Sequence, residues 1–76
     1  MEKLELGETY KYMVEARYVF DKAICNHKFF IEDIEFSQYR FEENVSALKS
    51  DKEVKDWGVV LYDVNHNILK EKHNER

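Results

Sequence analysis

The stretch YKYMVEARYVFDKAICNHKFFIEDIEF, residues 10–36, decides the fold, because it carries two incompatible periodicities. Read with period two, Tyr10, Tyr12, Val14, Ala16, Tyr18 and Phe20 share one face, and Lys11, Glu15 and Arg17 lie opposite. Read with the helical period, Met13, Ala16, Phe20, Ile24, His27, Ile31 and Ile34 form a stripe. The alternation is unbroken over six positions and uses aromatic and β-branched residues, which favours a strand. The alternative is one long N-terminal helix over about residues 9–34, followed by a C-terminal hairpin.

With the strand reading, FFIEDIEF becomes a second strand, with Phe30, Ile34 and Phe36 inward. Residues 21–28 then form the connection, tightest at Asn26. Beyond residue 36 the period changes. Phe41, Val45 and Leu48 fall at i, i+4 and i+7, one face of a helix capped by Ser37 or a near neighbour. Ser50 with Glu53 resembles a capping box that opens a short turn toward Trp57, and Gly58 lets the chain change direction. At the C-terminal end, the run from Val59 to Tyr62, then DVNHN, then a run from Ile68 predict a β-hairpin turning at Asn65 to Asn67. The expected architecture is α+β: a small antiparallel sheet in ββαββ order, with one helix packed on it.

Seventy-six residues make a single small domain, 1–76. A chain of this size buries only about 60% of the surface it exposes when unfolded, so a homodimer is expected as a way to gain core. The one cysteine, Cys25, cannot close an intramolecular disulfide. No basic n-region with an apolar run stands at the N-terminus, and no apolar run is long enough to span a bilayer. A cytoplasmic protein without a membrane partner is the expectation.

Searching for chemistry yields little. DVNHN imitates the opening of an EF-hand loop, but position six is Ile68 instead of Gly, and position twelve is Asn74 instead of Glu. Cys25 and His27 form a C-x-H pair with no second close pair, so no zinc site is expected. A Cys–His nucleophile at that spacing lacks an orienting third group. Gly7 and Gly58 are the only glycines, which rules out a glycine-rich phosphate loop. The expectation is a protein that is not an enzyme and takes no cofactor and no metal.

Charge is the informative feature. Residues 29–44 hold five carboxylates and one arginine, so the segment carries the whole chain's formal charge of −4. The flanks are balanced, with bases dispersed among acids as in KSDKEVKDW, a pattern that disfavours direct nucleic-acid binding. Glu32, Asp33, Glu35, Glu42 and Glu43 serve at least as solubilising groups. As a site, they would present an anionic array like that of DNA, with one charge per about 1.7 Å of axis. Asp51, Glu53, Asp56 and Asp63 would extend it. Tyr39, with Phe36 and Phe41 nearby, would supply an apolar anchor, although Phe41 fits the core better.

AT-rich codons favour Phe, Tyr, Met, Ile, Asn and Lys, which total 30 residues, against eight of Gly, Ala, Arg and Pro. This points to an AT-rich genome. With its size, its composition, its lack of cofactor motifs and the carboxylates of Glu32, Asp33, Glu35, Glu42 and Glu43, the chain resembles the small acidic host-takeover proteins of bacteriophages. Some of these mimic DNA. The resemblance implies an inhibitor that occupies the basic nucleic-acid-binding surface of a host DNA-binding protein, either nucleoid-associated or a transcription or defence protein. The alternative is a regulatory or antitoxin-like module that binds a partner through an apolar hairpin or dimer face.

Overall fold

The structure is a computed structural model and describes residues 10–74. Two strands, β1 (Tyr12–Phe20) and β2 (Ala23–Ile31), precede one helix, α1 (Ile34–Ser50), and two more strands follow, β3 (Val54–Tyr62) and β4 (Ile68–His73). All strand pairs are antiparallel, in the order β2-β1-β3-β4. The fold is therefore the α+β arrangement expected from the alternation, with two strands where a single helix was the alternative. Ile24 shows why the helical stripe fails: that reading buries it, whereas its side chain is 69% exposed.

β1 alternates as its sequence dictates. Val14 and Ala16 are fully buried toward the helix, with Tyr12 and Tyr18 packed around them. From β3 come Trp57, Val59 and Leu61, from β2 Ile31 and Phe29, and from the helix Phe41, Leu48 and Val45. Ser37 is the buried polar group of this core, and its hydroxyl donates to the Ile34 carbonyl at 2.6 Å. That bond removes the penalty of burying an unpaired hydroxyl.

Five local expectations are corrected. The β1–β2 connection is not an eight-residue loop but the two residues Asp21 and Lys22, both at positive φ (50° and 65°). That pair of left-handed residues matches the right-handed twist of a hairpin, and Asn26 lies inside β2 opposite Arg17. β2 ends at Ile31, so Phe29 and Ile31 face the helix, while Phe30 lies on the other face against the Tyr10 ring. Ile34 and Phe36 belong to the helix. A shift of one residue inverts which side chains are buried.

The helix cap is Asp33, not Ser37: its carboxylate accepts from the Phe36 N–H at 2.9 Å, and Glu35 supplies a further negative charge in the first turn. Ser50 and Glu53 make no helical turn. Asp51 Oδ1 accepts from the Glu53 N–H, and the chain enters β3 at Val54. Gly58 lies within β3 and does not redirect the chain. A bulge does that work: Arg17 pairs with Gly58 but Val19 with Lys55, and Asp56 takes a positive φ of 49°. The extra residue shifts the phase of the strand before it, so that Val54 packs on the core while Trp57 stays in step with Val59 and Leu61. The C-terminal hairpin turns where expected, its loop gathered by Asp63, whose carboxylate accepts from the backbone N–H groups of Asn65 and Asn67 and from the Asn67 amide.

Candidate protein-binding surface

With Ser37, Phe41 and Leu48 fixed inward, helical spacing of 100° per residue sends Glu35, Tyr39, Glu42 and Glu43 to the solvent side. Tyr39 lies almost opposite the buried stripe and is 61% exposed; Phe36, beside it, is 49% exposed. The two rings lie 6.2 Å apart, forming one aromatic patch. Glu32 and Asp33 precede the helix at the same end. The fold thus brings all six residues singled out in the sequence to one face or its N-terminal border.

Their electrostatics are not uniform. Glu43 pairs with Arg40 at 2.7 Å, and Glu42 with Lys70 of β4 at 3.2 Å. Asp33 is committed to the cap. Glu32 and Glu35 form no ion pair among the described residues. Arg40 also lies over the Phe29 and Phe36 rings, at 5.2 and 5.5 Å, so this cation ties the aromatic patch to the sheet. The exposed Lys70–Glu42 pair holds with only about 0.2–1 kcal/mol, so Lys70 exchanges readily for an incoming cation.

Asp51 and Asp63 do not extend this array. Both spend their carboxylates on turns at other places in the fold. Asp63 is held below the usual carboxylate range, first by the Asn67 N–H and then by the other donors of the loop. Phe41 is core, at 4% exposure.

Cys25 and His27 do share a face of β2, as i, i+2 spacing requires. The His27 ring is taken by Tyr18, with the phenol oxygen 2.9 Å from Nε2 and the rings stacked at 5.7 Å. Burial raises the Tyr18 phenol, and Cys25 adds to the shift. Among the described residues no cluster of His, Cys, Asp or Glu is arranged to hold a metal ion. No helix among them is long and apolar enough to cross a membrane.

Sequence reasoning missed one surface. The sheet face away from the helix carries a groove of about 590 Å³, lined by Glu15, Arg17, Val19, Ile24, Val60 and Tyr62 among others. Its signal was the doubled apolar pairs Phe29–Phe30 and Val59–Val60, which put apolar groups on both faces of their strands. Glu15 is fixed there, accepting from Asn26 at 3.0 Å and from the Tyr62 hydroxyl at 3.4 Å. Burial, then the Glu15 charge, raises the Tyr62 phenol. No family of known proteins, no characterised relative and no solved structure matches this chain.

Proposed function

We propose that the protein acts by binding another protein, with the outer face of α1 occupying the basic nucleic-acid-binding surface of a cellular DNA-binding protein. The observation that carries this reading is the shared solvent face of Glu35, Tyr39, Glu42 and Glu43, with the exposed Phe36–Tyr39 patch at its centre. Glu35 and Glu42 are two helical turns apart, about 10.5 Å along the axis. Three steps along a DNA strand, at about 3.4 Å each, cover the same rise. Such a face steers toward a cationic groove, and the aromatic patch supplies the apolar contact that holds it. In the host-takeover setting that the chain resembles, the result is competition with DNA.

The test is capture from a bacterial lysate on immobilised protein, at low and high salt, against the variant Glu35→Lys/Glu42→Lys/Glu43→Lys. DNA-binding proteins held by the wild type at low salt, and lost with salt or with the variant, are the expected result. Equal capture by the variant removes the helix face from the interface.

A second reading, an antitoxin-like regulatory module, draws on the apolar residues of the C-terminal hairpin. Val64, Ile68 and Leu69 are exposed by 37%, 54% and 45%. A partner held there resists high salt, because apolar contact is not screened over the Debye length of about 8 Å.

A further inference from the structure

The helix covers one face of the sheet, and the groove lies on the other. Register fixes which residues stand on this face, among them Glu15, Arg17 and Val19 from β1, Asn26 and Lys28 from β2, Gly58 and Val60 from β3, and Glu71 and His73 from β4. Ala16 pairs with both His27 and Val59, and Val59 pairs with Lys72, so these four residues form one row across the sheet.

We infer that this face is the interface of a homodimer, with a second copy of the chain packed sheet to sheet about a two-fold axis that runs over that row. Such an axis lies parallel to the sheet and across the strands, and it places each residue one before the row over the residue one after it in the partner copy. Glu15 then meets Arg17 of the second copy, twice by symmetry. On β4 the same operation puts Glu71 over His73, and on β2 Asn26 over Lys28. On β3 Val60 comes over Gly58, where no side chain stands and the His73 imidazole lies alongside: a Cβ built on Gly58 would come within 2.6 Å of its Nδ1.

All four strands therefore give complementary pairs from one axis position, and a shift by one residue sets like groups over like. Arg17 has no counter-ion among the described residues, whereas Glu15 is already oriented by Asn26 and Tyr62. The footprint also suffices. Three strands of nine residues and one of six, about 4.8 Å apart and rising about 3.3 Å per residue, span roughly 30 by 19 Å at their widest. A standard interface takes about 800 Å² from each partner, which a corrugated face of this extent can supply. The twist of each sheet limits alignment to the centre, where β1 and β3 lie. Both acidic helix faces remain on the outside.

Light scattering coupled to size-exclusion chromatography tests this on the full chain, with circular dichroism as the control for folding. The wild type is expected at twice its 9.3 kDa mass. Arg17→Glu alone and Glu15→Arg alone are each expected to raise the dimer Kd roughly hundredfold, because two opposite-charge contacts become like-charge ones. The doubly exchanged Glu15→Arg/Arg17→Glu chain is expected to dimerise again, which a merely destabilised fold does not do. A monomeric wild type at high micromolar concentration overturns the proposal and leaves the face to a different occupant. So do single variants as dimeric as the wild type, or a double exchange that stays monomeric.

Discussion

Replacing Asp33 separates structure from charge at the edge of the acidic face. The Asp33 carboxylate accepts the Phe36 N–H at 2.9 Å, satisfying one of the orphan donors of the first turn. Removing such a cap costs about 1 kcal/mol. Losing a negative charge at a helix N-terminus adds about 0.3–1 kcal/mol. Asp33→Ala loses both, roughly 1.5 kcal/mol, and for a domain of this size each kcal/mol moves Tm by about 4–8 °C. A fall of about 6–12 °C is expected. Asn caps as well as Asp does, so Asp33→Asn loses only the charge and is expected to fall by about 2–4 °C. Thermal melts followed by far-UV circular dichroism measure both. Coincident melts for the two variants would refute the cap as the start of α1, since the charge is the only thing they lose in common.

Other residues give sharper or opposite responses. Leu61, fully buried at the centre of the core, is expected to cost about 2–5 kcal/mol when cut to Ala, enough to unfold much of a marginal domain in urea titrations. Asp63 has a lowered pKa, so its loop stabilises the fold above the ordinary carboxyl value of 3.8 and loses that contribution as pH falls through the folded-state value. The stability gap between wild type and Asp63→Ala in urea is expected to be open at neutral pH and to narrow in strong acid. The sign reverses at Tyr62, whose raised pKa favours the protonated phenol in the fold. Its contribution is complete below 10.0 and is lost as pH rises through the folded-state value. Tyr62→Phe is expected to flatten that alkaline loss.

The elements were legible where local chemistry and burial agree. Six alternating positions from Tyr10 to Phe20 announced β1, and Phe41, Val45 and Leu48 announced the helix and its buried face. The outer face of the helix follows from the same period, which is why Tyr39, Glu42 and Glu43 share it; Glu35, read as part of the second strand, joins them only because α1 starts at Ile34. Junctions were less legible. Asp21–Lys22 is not a glycine-bearing turn signal, and Lys22 adopts positive φ only because the paired strands demand that twist. Without the position of that turn, the parity of β2 was free, and Phe30 was assigned to the wrong face. The start of β3 was hidden for a related reason: the bulge at Asp56 that brings Val54 to the core face depends on pairing with β1, and nothing in the local sequence marks it. The Lys70–Glu42 pair joins residues far apart in the chain, so the partial neutralisation of the acidic face became visible only with the sheet assembled.

The most direct test of the proposed mechanism is a DNA competition experiment. A DNA-binding protein captured from the lysate is purified, bound to labelled duplex, and titrated with wild-type protein or with Glu35→Lys/Glu42→Lys/Glu43→Lys in a gel shift at low salt. Stoichiometric release of the duplex by the wild type, and none by the charge-reversed variant, is the expected result. A supershifted complex holding both the duplex and this protein would contradict it, because an occupied DNA site cannot also hold a competitor.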